Sequence, residues 1–396
     1  MPADSKGTGA DMGGMKTFNF EPCWMPPRAE ALREEVRAFL RENLEGWTPA
    51  RRAHSWDGFD PEFSRKVGER GWIGMTWPKR YGGGEYSALE RHAVLEEMLV
   101  AGAPVSSHWI ADRQSGPLLL RFGSERQRQE ILPRIARGEL CFCIGLSEPD
   151  AGSDVASVRA RARRVDGGWM LTGTKLWTTN AHRAHYMIGL FRTGGGPADR
   201  HAGLSQFLID MARPGITVRP IPDLTGEEQF NEVVFDDAFL PQDSLIGREG
   251  EGWGQAMAEL ALERSGPERF LSSIQALIEL IRVLAGRPSE EAAAVVGRLV
   301  AQLVTLRQMS SSVAGMLEAH GDPAIEACVV KDLGTAFEQS VPEAVQSLLG
   351  LEIDPGAGSD LQQVMAHLVR MAPAFSLRGG TREILRGIVA RGLGLR

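Results

Sequence analysis

The densest polar cluster in the chain is Leu146-Ser147-Glu148-Pro149-Asp150-Ala151-Gly152-Ser153-Asp154, at the end of a short apolar run. A strand that stops in Pro149 and Gly152 exposes backbone N–H groups beside two hydroxyls, a cradle suited to the oxygens of a planar heterocycle or a phosphate. The other reading is an Asx-type turn joining two strands. Further on, Lys175-Leu176-Trp177-Thr178-Thr179-Asn180 places Trp177 and Thr179 on one strand face, because side chains alternate with period two. An indole beside a hydroxyl can stack on an aromatic cofactor and hydrogen-bond to its edge; a core tryptophan is the competing reading. Metal chemistry has little to start from. His182 and His185 lie three apart in a loop without a third ligand and read as turn residues. Cys23, Cys141, Cys143 and Cys328 form no C-x-x-C, so reduced, buried cysteine is expected and no metal.

The elements that must hold these residues change character twice along the 396 residues, a length suited to about two or three domains. From Pro27 to Ile135 apolar residues recur at three and four, as in ALREEVRAFLRENL and RHAVLEEMLV, which predicts helices. Between about residues 139 and 245 short β-rich runs alternate with Gly, Pro, Asn and Asp turns. From Gly252 to Leu393 the helical period returns, predicting a second bundle. The resulting division is a mobile N-terminus over 1–26, a helical domain over 27–138, a β-domain over 139–245 and a helical bundle over 246–396. This order is not the βαβ alternation of a dinucleotide fold. G-x-G-x-x-G after a strand, G-x-x-x-x-G-K-[ST], H-E-x-x-H and G-x-S-x-G are all missing.

Composition is that of a globular chain, 43% hydrophobic and 24% charged with a net charge of -7, so neither nucleic acid nor an anionic membrane is an expected partner. No run of about 18 uncharged apolar residues occurs. The first residues have no signal-like apolar stretch, and Asp4 and Asp11 fit a mitochondrial presequence badly. A cytoplasmic protein is expected.

GLSEPDAGSDVAS (145–157) followed by GWMLTGTKLWTTNA (168–181) resembles the paired flavin-binding signature of the acyl-CoA dehydrogenase family. The resemblance extends through GWIGMTWPKRYGGG and RFGSERQRQEILPRIARGEL upstream, and FNEVVFDDAFLPQDSLIGREGEGW and GGTREILRGIVARGLGL downstream. It covers residues 30 to 396. It implies an α+β chain with an N-terminal helical domain, a middle β-barrel and a C-terminal four-helix bundle, in agreement with the period changes. It also implies bound FAD. Leu146 and Ser147 match positions at the pyrimidine edge of the flavin, Trp177 and Thr179 those flanking its ring, with the threonine hydroxyl near N5. Ser153 matches a residue touching the phosphopantetheine or pyrophosphate of the ligand, and Thr381 and Glu383 match positions beside the adenosine diphosphate of FAD.

The chain departs from the pattern at the base. Many members place a glutamate before the Gly-Thr of the last motif, where this chain has Gly379. Isovaleryl-type members place it on an earlier helix directly before an arginine, an arrangement that Glu263 and Arg264 reproduce, which implies a substrate-binding role for Arg264. Pro267 lacks an N–H and Gly266 weakens the same turn, so the helix is expected to kink near Glu263; Glu268 is the rival carboxylate. A second departure is the segment after the base helix, LAGRPSEEAAAVVGRL, which lacks the usual Arg-x-x-Phe-Gly.

The implied reaction is α,β-dehydrogenation of a branched or bulky acyl-CoA, of the kind used in fatty acid β-oxidation and other lipid metabolism. Glu263 acts as general base and the Gly379 N–H holds the thioester carbonyl. The resemblance further implies that electrons pass to an electron-transfer flavoprotein and that the chain forms a homodimer or homotetramer. Alternatives are an oxygen-using oxidase or monooxygenase of the same fold, and a non-catalytic partner subunit of a mixed oligomer.

Overall fold

The structure is a computed structural model that describes residues 17–195, 199–261, 264–319, 321–356 and 358–395. Its first helix, α1 (Pro27–Asn43), starts with a proline at the position where a missing N–H costs nothing. Leu32, Val36, Phe39 and Leu40 make its buried stripe, which packs on α4. Side-chain caps start α2 (Pro49–Ala53), where Thr48 accepts from the Arg51 N–H, and α3 (Pro61–Glu69), where Asp60 accepts from the Phe63 N–H. α4 (Ala88–Val100) opens in a Ser87/Glu90 capping box and is buried along most of its length. Its Glu96 receives Arg33 of α1 at 2.6 Å and Arg307 of α10 (Glu290–Glu318) at 2.6 Å, which ties three helices through one carboxylate.

After α5 (Ser106–Ile110) the chain makes a π-turn over Ala111–Ser115 before α6 (Gly116–Phe122). α7 (Glu125–Ala136) begins in a second capping box, Ser124/Gln127. The Gln127 amide then donates to the carbonyls of Asp243 (2.9 Å) and Leu245 (3.2 Å), fixing the helical part to the sheet.

The seven strands are β1 (Phe142–Gly145), β2 (Arg161–Val165), β3 (Gly168–Lys175), β4 (Tyr186–Arg192), β5 (Leu204–Asp210), β6 (Ile216–Ile221) and β7 (Phe230–Pro241). They form one sheet in the order β1-β4-β2-β3-β7-β6, with β5 on β4. β2 and β3 make a hairpin whose turn is Asp166-Gly167, with Gly167 at φ +73°, as a two-residue loop requires. A bulge between Leu171 and Gly173 bends β3 against β7. Trp169, Phe191, Phe207 and Phe235 fill the concave side in edge-to-face contacts. The sheet is curled rather than the barrel expected, since no ladder joins β6 to β1 or β5 among the described residues.

The C-terminal part is helical: α8 (Gly252–Ala261), α9 (Ile274–Ala285), α10, α11 (Ala324–Leu349), α12 (Asp360–Phe375) and α13 (Arg382–Gly392). α11 lies at its centre, packed on α9, α10, α12 and α13. The helical period expected from Gly252 is interrupted after α8, and helix resumes only at Ile274. Pro267–Arg269 instead forms a 3-10 turn whose side chains are buried. The expected kinked helix ends at Ala261; Leu262 and Glu263 lie outside the described residues. Of the N-terminal stretch expected to be mobile, residues 1–16 lie outside the described residues. Asn19 donates to Glu326 Oε1 (3.1 Å), and Phe20 packs on Val313, Ala327 and Val330. All four cysteines are free. Among the described residues no helix is long and apolar enough to cross a membrane.

Two buried histidines make the fold acid-sensitive. His92 meets Ser310 Oγ at 3.0 Å and His108 meets Ser64 Oγ at 2.8 Å; burial pushes both down to about 4. The folded value lies below the unfolded one, so the unfolded chain binds more protons in the interval. Stability therefore falls as the pH drops from about 6.5 toward about 4, by about 3 kcal/mol per histidine. Urea midpoints measured across this range should decline less steeply in His108→Gln than in the parent chain; equal slopes would refute the assignment.

Candidate functional site

One half of the site is the junction of two strand ends. The turn after β1 closes on itself: the Glu148 N–H donates to the Ala151 carbonyl (2.8 Å), and the Ala151 N–H returns to Glu148 (3.1 Å). Those two N–H groups are therefore consumed rather than offered to a ligand. The Glu148 carboxylate turns inward to accept from the N–H groups of Arg159 (2.6 Å) and Ala160 (2.9 Å) and from Lys175 Nζ (2.8 Å). Lys175 is fully buried and sits over the Phe191 ring at 4.9 Å. Burial lowers its pKa despite the pull of Glu148. This pair locks the end of β1 to the end of β3, and the Leu176 N–H continues the link by donating to the Ser147 carbonyl at 2.9 Å.

Beyond Lys175 the strand period stops. Trp177 has φ +58°, so it does not share a strand face with Thr179, contrary to expectation. Its indole is 57% exposed and edge-on to Phe230. A bulky residue in left-handed backbone is strained and persists only where its surroundings enforce it. Here Thr178 and Asn231 exchange hydrogen bonds of 3.0 and 2.9 Å, and the Asn180 N–H donates to Gln229 at 2.7 Å. Thr178 is buried, and its Oγ1 has no partner. Thr179 is half-buried, Ser147 likewise, and Leu146 is buried. An exposed indole held over a polar edge with an orphan hydroxyl suits a planar aromatic ligand.

The other half surrounds Gly379. The π-turn, a common irregularity at functional positions, directs Arg113 inward to Glu268 Oε1 at 2.6 Å, with both side chains buried. Trp56 gathers the cations: the guanidinium groups of Arg378, Arg113 and Arg269 lie 4.6, 5.4 and 5.5 Å from its ring, and Trp109 meets it edge-on at 4.9 Å. Arg378 donates to Glu338 Oε2 (2.8 Å), Ser272 Oγ (2.7 Å) and the Glu268 carbonyl (3.3 Å). Lys331 is fully buried, with Nζ donating to Thr335 Oγ1 (2.7 Å) and the Phe375 carbonyl (3.0 Å). Gly379 itself has φ +67°, and a Cβ there would sit 3.1 Å from Arg269 Nη2 and 3.4 Å from Lys331 Cε. Four cations against the carboxylates of Glu268 and Glu338 make this a setting for negative charge developing on an oxygen. Burial raises the Glu268 pKa, but Arg113 and Arg269 outweigh it and hold the carboxyl below the usual range. Such a group is a poor proton acceptor.

α5 joins the halves: Asn180 Nδ2 donates to Ser106 Oγ at 2.7 Å at its start, and Trp109 one turn on belongs to the cation cluster. The remaining expected residues are spread around this frame. Arg264 is buried with Nη1 at 3.6 Å from Cys328 Sγ, and Ser153 is exposed in the turn after β1. Thr381 caps α13 by accepting from the Ile384 N–H, and Glu383 is exposed in the first turn of that helix. The sequence reading missed Trp56, Trp109, Arg113, Arg269, Lys331 and Arg378. For Lys331 the one signal was a charge within an apolar helical stripe, ACVVKDLGTAF.

The N-terminal, middle and C-terminal domain models of the acyl-CoA dehydrogenase family match residues 26–139, 143–238 and 250–394. The chain is 33% identical to acyl-CoA dehydrogenase IpdE1 of Mycobacterium tuberculosis, over 92% of this chain and 97% of that protein. It is 27% identical to the mitochondrial isovaleryl-CoA dehydrogenase of Oryza sativa subsp. japonica, over 92% and 90%. Its fold is similar to that of a solved steroid ACAD, Tcur3481-Tcur3483, with a TM-score of 0.83 at 26% identity, covering 93% of this chain and 97% of that one.

Removing Arg113 leaves the buried Glu268 carboxylate with only the longer contact to Arg269 at 4.0 Å among the described residues. Arg113→Ala should therefore cost about 3–5 kcal/mol of unfolding free energy, measurable by urea titration. A loss below about 1 kcal/mol would show that water reaches Glu268.

Proposed function

The chain belongs to the acyl-CoA dehydrogenase family, and on that premise we propose that it catalyses FAD-dependent α,β-dehydrogenation of a branched or bulky acyl-CoA thioester. The observation that carries this reading is the setting of Gly379: left-handed backbone without a side chain, ringed by buried cations. The Gly379 N–H donates to the thioester carbonyl, and Arg269, Arg378 and Lys331 favour the negative charge that builds on that oxygen when the α-proton leaves. Glu263 takes that proton. The low pKa of Glu268 leaves it the ion-pair partner of Arg113 rather than a rival base. Arg264 anchors its own turn to α11 through Cys328 and is a positioning residue; Ser153 lies free at the surface to meet the phosphopantetheine.

The members of this family are flavoproteins. The exposed Trp177 indole and the orphan Thr178 hydroxyl fit a flavin edge. Leu146, Ser147, Trp177 and Thr179 would hold the ring, and Thr381 and Glu383 the adenosine diphosphate. FAD, when bound, supplies the acceptor for the β-hydrogen. An electron-transfer flavoprotein takes the electrons onward. The likeness to a steroid ACAD supports a bulky acyl group, and the two-component name of that relative favours a mixed oligomer as the second reading.

The purified chain should be yellow and should bleach without oxygen on titration with a bulky acyl-CoA. Glu263→Gln should keep the colour and slow bleaching by about 10²–10⁴-fold. A yellow protein that no thioester bleaches would point to the oxidase reading, and a colourless one that takes up no FAD to the partner-subunit reading. Trp177→Ala should weaken FAD binding by about three- to tenfold through lost stacking, with stability unchanged within about 0.5 kcal/mol. Equilibrium dialysis and thermal melts separate the two effects.

A further inference from the structure

We propose that His54, Asp57 and His367 form a binding site for a divalent transition metal ion of the zinc type. The three residues come from distant parts of the chain. His54 ends α2, Asp57 lies in the connection to α3, and His367 belongs to α12. His54 Nδ1 is 3.2 Å and His367 Nε2 is 3.7 Å from the same Asp57 Oδ2, and the three ligand atoms lie within 4.8 Å of one another. Ligand atoms around a tetrahedral ion with bonds of about 2.0–2.1 Å sit about 3.3 Å apart, so small ring rotations complete the site. The two imidazoles lie side by side, centroids 3.6 Å apart and planes tilted by 33°.

The donor set selects the ion. Two imidazole nitrogens and one carboxylate suit zinc and its neighbours, while calcium and magnesium require a shell of oxygens. The surroundings favour a dication: the carboxylates of Asp57, Asp223, Glu227 and Glu228 face the site or its cavity, against the guanidinium groups of Arg183 and Arg370. Gln229 Nε2 donates to Asp57 Oδ2 at 2.9 Å, the outer hydrogen bond that orients a ligating carboxylate. A cavity of about 130 Å³ lined by His54, Asp57, Arg183, Glu227 and Gln229 adjoins the cluster, with room for water as the fourth ligand.

The ion would join the α2–α3 connection to α12. Trp56, which gathers the cations around Gly379, lies between two of its ligands in sequence.

The test uses the full-length chain, stripped with chelator and titrated with Zn2+ alone. The expected result is one zinc per chain by elemental analysis after gel filtration, together with a rise in Tm. His367→Asn and His54→Gln, each verified as folded by circular dichroism, should bind at least about tenfold more weakly. His201→Gln, which alters a histidine stacked on Trp253, should bind as the parent does. A parent chain that retains no zinc, or a His367→Asn variant that retains as much, would overturn the proposal.

Discussion

The contact on which the architecture depends is the ion pair between Arg113 and Glu268, closed at 2.6 Å where neither side chain meets water. An isolated charge at such a depth is too costly to keep, so each group obliges the fold to deliver the other. Delivering Arg113 takes a π-turn between α5 and α6, and delivering Glu268 takes a 3-10 turn where a helix would otherwise run through. The pair also joins the N-terminal helices to the C-terminal ones across the Trp56 ring. Net stabilisation from such a pair is small. Its effect is to make one mutual arrangement of the two helical parts far better than its neighbours.

The same logic governs the sheet. Glu148 and Lys175 are buried together at the ends of β1 and β3, and two backbone N–H groups complete the carboxylate's shell. With the strand ends pinned, the chain after Lys175 can be forced into the unfavourable conformation at Trp177. A polar cluster that looks from sequence like ligand chemistry is thus partly a clamp.

Local grammar was legible. Thr48, Asp60, Ser87, Ser124 and Ser359 each sit at a helix start and accept from the backbone, because capping is decided within four residues. The Asp166-Gly167 turn is set by its own few residues in the same local way. The signature around Leu146 and Trp177 was visible through family resemblance. The positive φ of Trp177 was not, since nothing local favours it; it is imposed by Asn231 and Gln229 from β7 and the turn before it. Nor were Arg269, Lys331 and Arg378, whose burial depends on helices far apart in sequence. Periodicity finds an apolar stripe, but it cannot tell which charge along that stripe has been given a partner.

Gly379 has a consequence for what mutation can reach. A side chain there must adopt left-handed backbone, at a cost of about 1–2 kcal/mol, and must displace Arg269, whose Nη2 would lie 3.1 Å from the new Cβ. A side chain at this position therefore needs the Arg269 guanidinium to give by a few tenths of an ångström, in addition to the backbone strain. What limits substitution at Gly379 is thus the backbone first and the reach of one flexible guanidinium second.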